Sequence, residues 1–189
     1  MRYLGANNVI TQPIYDTMRL AIAAGGQTVS FFNVPQGGLL AAGVPKTFAH
    51  TNLVQSGRLE KGLELTIRAI SFFVRDNAGA MVSLADYLSI FNNSNINMMF
   101  AGVSFLRLPA CALPPANGET AYFSNIAPGV TEFKMSKGVS TFSNRLVLDN
   151  PMVLEDMETI QVDFQVNGAI AALTDITFTL WGDLTKPVR

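Results

Sequence analysis

Histidine, cysteine and tryptophan occur once each, as His50, Cys111 and Trp181, and each scarcity closes a route to chemistry. A zinc or iron centre of the cupin type needs several imidazoles converging inside a barrel, so a single histidine excludes it. A single cysteine rules out an internal disulfide and leaves the redox compartment open. The segment LPACALPP around Cys111 holds nothing polar to activate a thiol, and the residue reads as a small, inert hydrophobe. His50, beside Phe48 and Thr51 in an expected strand, reads as a structural or surface histidine rather than as a base for Cys111.

Charge is also scarce. Charged residues make up 14% of the chain, against about 25% in an average soluble domain. The apolar share of 49% is ordinary, so what is missing is a charge coat rather than anything in the core. With a formal net charge of -1 the free chain has weak protection against self-association, and association is expected. The basic residues are scattered, with no cluster to neutralise a run of phosphates, so no direct nucleic-acid partner is expected.

Long apolar runs are absent. The stretch LAIAAGG at Leu20 to Gly26 is too short to span a bilayer, and the opening MRYLGANN lacks the order of a secretion signal. The expectation is a soluble, uncleaved chain. Asn92-Asn93-Ser94 matches a glycosylation sequon, but without a secretion signal it reads as a polar loop.

What is present is alternation. From Thr159 to Gly168 the chain reads TIQVDFQVNG, with Ile160, Val162, Phe164 and Val166 on one face and Gln161, Asp163 and Gln165 on the other. Ile176, Phe178 and Leu180 alternate with Thr177, Thr179 and Trp181. Leu63, Leu65, Ile67 and Ala69 share a face until Ala69-Ile70, where Ile70, Phe72 and Val74 take over, which predicts a bulge or bend. Met99 to Leu108 is a fourth, less cleanly phased strand. Shorter candidates are Thr28 to Val34, Phe48 to Leu53, Ala121 to Ser124, Thr131 to Met135 and Arg145 to Leu148. Glycine, proline and asparagine turns separate them, and eight or nine short strands spaced this way indicate a β-sandwich or barrel.

Two segments carry helical spacing. From Ala80 to Phe91 the apolar residues Met81, Leu84, Ala85, Leu88 and Phe91 recur at three and four, with Ser83 and Asp86 placed as a capping box. Pro13 to Ala24 carries Ile14, Met18, Ala21 and Ile22 on one stripe, so residues 1–24 are expected to form a flexible or helical N-terminal arm ahead of one domain at 25–189.

No catalytic, cofactor-binding or metal-binding set emerges, and no enzyme is expected. The acidic run Glu155-Asp156-Met157-Glu158 lacks the alternate ligand spacing and turn glycine of a calcium loop, and reads as a solvated turn. Gly25-Gly26 and Gly37-Gly38 lack the context of a phosphate loop. With 13 Phe against four Tyr and one Trp, the aromatic balance favours cores and dry interfaces over sugar or base stacking. The exposed strand faces carry Thr177, Thr179, Gln161, Gln165, Ser140, Thr141 and Ser143, groups that a partner can cover at modest cost once they are hydrogen-bonded. Such surfaces suit a tile flanked by copies of itself.

The order of elements then resembles a family. TNLVQSGRLEKGLELTIRAISFFV, the helix MVSLADYLSIF, INMMFAGVSFLRLPACALPP, NPMVLEDMETIQVDFQVNG and the closing ITFTLWGDLTKPVR are similar in layout to the small major capsid proteins of tailless icosahedral bacteriophages with an internal membrane. The resemblance spans residues 47–189. It implies a single upright jelly roll of about eight strands, self-assembly into an icosahedral shell, a second capsid protein and penton proteins as partners, and a virion location after synthesis in the host cytoplasm. The shell would enclose a lipid vesicle, touched indirectly or through the N-terminal arm. The other expectation is a receptor- or glycan-binding sandwich of a virion spike, with Trp181 at a strand end as its one tryptophan. The expected core is Phe31, Leu65, Ile67, Ile70, Phe72, Phe105, Leu148, Ile160, Val162, Phe164, Ile176, Phe178 and Leu180.

Overall fold

The computed structural model describes residues 7–41, 43–78, 82–113, 120–127, 130–136 and 145–187. Its strands are β1 (Asn7–Thr11), β2 (Ile14–Leu20), β3 (Gln27–Phe31), β4 (Leu39–Ala41), β5 (Val44–Pro45), β6 (Glu64–Asp76), β7 (Ser94–Phe100), β8 (Val103–Pro109), β9 (Thr120–Ala127), β10 (Val130–Ser136), β11 (Leu146–Leu154), β12 (Ile160–Val166) and β13 (Thr174–Pro187). One helix, α1 (Leu84–Asn92), lies between β6 and β7. The fold is all-β, as the alternating runs require.

Eight strands build two facing antiparallel sheets. One runs β2-β13-β6-β11 and the other β3-β12-β7-β8. Counted in chain order, these strands read one-eight-three-six and two-seven-four-five, the jelly-roll arrangement. β1 extends the first sheet by pairing with Asp183 to Pro187, beyond the stretch of β13 that β2 covers. β9 and β10 form a separate hairpin between β8 and β11, and β4 and β5 form another.

The core follows the period-two pattern. Ile160, Val162, Phe164 and Val166 of β12 are buried and face Ile176, Phe178 and Leu180 of β13 and Ile70, Phe72 and Val74 of β6 across the sandwich. Phenylalanine rings stitch the layers together. Phe31 lies 5.7 Å from Phe178, Phe72 lies 5.8 Å from Phe164, and Phe32 meets Phe178 edge to face at 6.3 Å. Such geometries add about 0.5–1.5 kcal/mol per pair to the burial itself.

The phase change in β6 is a bulge, centred one residue earlier than the pattern suggests. Trp181 pairs with Ala69 and Gly182 with Ile67, leaving Arg68 as the extra residue. Arg68 turns outward and donates from Nε to Asp183 at 2.8 Å. A side chain at position 182 would put its Cβ 2.0 Å from the Thr66 carbonyl oxygen, so only glycine fits opposite the bulge.

α1 starts where expected, since Ser83 Oγ accepts the Asp86 N–H at 3.2 Å. Its buried stripe is rotated from the predicted one. Asp86, Ser89, Ile90 and Phe91 face inward while Leu88 is exposed. The Asp86 carboxylate accepts the N–H groups of Ala171 and Ala172 at 2.7 and 3.2 Å, and this tether sets the helix rotation. Met81 lies outside the described residues.

Four further expectations are corrected. Ile14–Leu20 is a strand paired along Thr174 to Leu180 of β13, not part of a flexible or helical arm. Phe48 to Leu53 is a turn-rich segment along an edge, not a strand. Phe105 is 55% exposed, because a bulge in β8 opposite Met98 and Met99 makes it the unpaired residue and turns it outward. Leu148 is half-buried at the rim of the core.

Candidate functional site

The residues singled out from the sequence do not converge. His50 sits in a single helical turn, where its Nδ1 accepts the Thr47 N–H at 3.1 Å and its own N–H donates to the Thr47 carbonyl. Cys111 is exposed in a short 3-10 turn (Ala110–Ala112), not the buried hydrophobe expected, because Ala110 and Leu113 take the core positions on either side. The acidic run is structural as read. Asp156 accepts the Gly62 N–H at 2.7 Å, and Glu158 accepts the Glu155 N–H at 3.0 Å. Asn92-Asn93-Ser94 spans the end of α1 and the start of β7, with Asn93 as C-cap. Trp181 lies within β13 rather than at a strand end. Its Nε1 donates to Ser71 Oγ at 2.7 Å, and the Arg145 guanidinium stacks 3.4 Å above its ring. Among the described residues, no three His, Cys, Asp or Glu side chains are grouped to hold a metal ion.

The outer face of the β3-β12-β7-β8 sheet is an amide and hydroxyl surface. Asp163 accepts from Ser30 Oγ at 2.6 Å and from Gln161 Nε2 at 2.7 Å, while Asn95, Gln165 and Thr28 stay open to solvent. The edge strands β8 and β11 carry residues of another character. Val103 and Phe105 on β8 are exposed, as are Val147 and Val153 on β11.

The two ends of the sheets are treated differently. β2 and β3 pack together on one flank, which puts the other two edge strands, β8 and β11, on the opposite one. The β2 edge is strapped by Lys46 to Leu53. Tyr15 N–H donates to Asn52 Oδ1 at 3.0 Å, Thr51 Oγ1 donates to the Tyr15 carbonyl at 3.0 Å, and Asn52 Nδ2 donates to the Pro13 carbonyl at 2.8 Å. Side chains and turns thus satisfy an edge that would otherwise be open to another strand.

A buried ion pair anchors the strap. Lys46 Nζ lies 2.7 Å from Asp16 Oδ1, and both side chains are fully buried. Asp16 Oδ2 also accepts the N–H of Phe32, a residue held at φ 69°, at 2.7 Å. Burial pushes the Asp16 carboxyl above its ordinary range and the Lys46 ammonium below its own, while their contact opposes both shifts. Asp16 occupies the core face of β2 between Ile14 and Met18, a position where an unpaired carboxylate could not stay charged. The sequence reading missed this pair. Its one signal was an acid breaking the alternation of Ile14, Met18 and Leu20.

At one end of the sandwich, a cleft of about 350 Å³ is lined by Asn33, Ser56, Arg58, Met99 and Gln161. Its walls include left-handed backbone at Gly57 and Gly102, next to Phe32 and Ala101, which share that conformation. Gly57 N–H donates to the Phe32 carbonyl at 2.6 Å, and Ile160 N–H donates to the Gly57 carbonyl at 2.8 Å, so the wall is fixed by backbone bonds. Among the described residues Arg58 is the one ionisable group lining it, which suits hydrogen bonding to a ligand.

The chain matches no protein-family model, no curated protein and no solved structure.

Proposed function

We propose that this protein is a structural subunit of a virion shell, a jelly-roll tile that assembles with copies of itself. The observation that carries the reading is the β8/β11 flank, where two edge strands carry exposed Val103, Phe105, Val147 and Val153 while the opposite flank is strapped shut. Low charge supports it, because a chain with 14% charged residues has little protection in water as a lone molecule. The amide-rich outer faces support it too, since neutral polar groups are covered by a neighbour at lower cost than lysine or glutamate. In this reading the function is geometric, and the rigid sandwich sets the shape of the tile. Other capsid proteins complete the shell, an internal membrane lies beneath it, and the chain reaches the virion from the host cytoplasm.

Light scattering coupled to size-exclusion chromatography, over a range of protein and salt concentration, tests the reading. Concentration-dependent growth into regular particles visible by electron microscopy is expected. A chain that stays monomeric at millimolar concentration would overturn the proposal.

The second reading, a glycan- or receptor-binding module, draws on the cleft beside Asn33, Ser56, Arg58 and Gln161. It predicts a small closed oligomer that binds sugars, with binding lost in Arg58→Ala.

A further inference from the structure

The strap over β2 is held by a histidine in a particular protonation state. His50 Nδ1 accepts the Thr47 N–H at 3.1 Å and lies 3.1 Å from Thr47 Oγ1. An imidazole that accepts through Nδ1 carries its proton on Nε2, and a second proton at Nδ1 would set a donor against the Thr47 N–H. The same turn is closed by His50 N–H and Thr51 N–H, both donating to the Thr47 carbonyl. Thr51 and Asn52, the next two residues, make the bonds that cover the β2 edge.

The charges facing His50 work against protonation. They are Arg75 on β6, Arg19 on β2 and Lys46 at the root of the strap, the last paired with Asp16, while Asp175 on β13 favours the proton. Asp175 is already engaged in a bidentate pair with Arg19, at 2.6 and 2.9 Å. Arg75 Nε is buried with no hydrogen-bond partner among the described residues. A further positive charge on His50 thus enters a site that already holds surplus cation.

We propose that residues 46–53 form an acid-released strap: protonation of His50 breaks the Thr47 turn and uncovers the edge of β2. The inference goes beyond the shell reading and stands whether or not the chain assembles. Burial, then the Arg75 cation, hold the His50 imidazole below its ordinary 6.5. The closed strap therefore rejects the proton, and opening is driven as pH falls from 6.5 toward the lowered value. Asp16 pulls the other way, because burial raises its carboxyl above 3.8 and a raised value favours the protonated closed state. Lys46 pulls the same way as His50, because burial lowers its ammonium below 10.5, and a variant at position 50 separates the two.

Amide hydrogen exchange on the full chain, corrected for the intrinsic rate, tests the proposal. Protection of the Tyr15, Thr47, Thr51 and Asn52 amides should fall about tenfold between about pH 7.5 and about pH 5, while β12 amides keep theirs. His50→Asn keeps an acceptor near the Nδ1 position without a titratable proton, so its strap should stay protected at both values. Protection that is independent of pH in the wild type, or that falls equally in His50→Asn, would overturn the proposal. Should His50→Asn be unprotected even near neutrality, an NMR titration of the wild-type imidazole decides. A midpoint shared with strap protection supports the proposal, and midpoints about one pH unit apart sink it.

Discussion

Lys46 Nζ and Asp16 Oδ1 stand 2.7 Å apart with no solvent on either side chain, beside a core built largely of phenylalanine and aliphatic groups. Removing one partner strands a buried charge. Lys46→Met should lower the unfolding free energy by about 3–5 kcal/mol, whereas the double variant Asp16→Leu/Lys46→Met should come within about 1–2 kcal/mol of the wild type or exceed it. Urea titrations of the two variants check this. Equal losses in both would mean that the pair is not the unit that matters.

The pair also predicts the shape of the pH–stability curve. A raised carboxyl value contributes stability below 3.8 that is lost as pH rises through the folded value. A lowered ammonium value contributes stability above 10.5 that is lost as pH falls through the folded value. Relative to the double variant, the wild type should therefore be weakest near neutrality and gain toward both acid and alkali. A difference between the two that does not change with pH would contradict the assignment.

Gly182 faces the backbone of Thr66 across the β6 bulge, and a Cβ there would sit 2.0 Å from that carbonyl oxygen. Backbone cannot swing aside as a flexible side chain can. Gly182→Ala should cost about 2–4 kcal/mol and lower the melting temperature, a size expected where strands must part. A melting temperature unchanged from the wild type would show that β6 and β13 are not held this closely.

Phe164 is fully buried between Phe31 and Phe72. Phe164→Ala removes a ring from both contacts and leaves a cavity, at a cost of about 3–5 kcal/mol. Chemical denaturation measures it, and a loss below about 1 kcal/mol would mean that the two sheets do not meet there.

Phe105 meets Phe100 edge to face at 5.8 Å and is otherwise open to solvent. Phe105→Glu should leave the fold intact, within about 0.5–1 kcal/mol, because the site is exposed. If the β8/β11 flank is the assembly surface, particle formation is lost in the same variant. Unchanged assembly would move the contact elsewhere on the tile.

Much of the sandwich was legible because strands β12 and β13 and the two halves of β6 bury every second residue, and that period is a property of the local chain. The start of α1 was legible for the same reason, since Ser83 caps a turn three residues away. The rotation of α1 was not, because Asp86 is fixed by N–H groups of Ala171 and Ala172, far along the chain. Phe105 was placed inside because a bulge, which shifts phase by one residue, leaves no mark in composition.

By itself, the sequence determined an all-β chain with a phenylalanine core, a thin charge coat and no histidine or cysteine cluster for chemistry. Only the tertiary structure decided that Ile14–Leu20 is a strand. The spacing of Ile14, Met18, Ala21 and Ile22 argued for a helix, and the acid on the core face of the strand is tenable through an ammonium supplied 30 residues later. A buried charge is decided by its partner in space, and local periodicity carries no record of that partner.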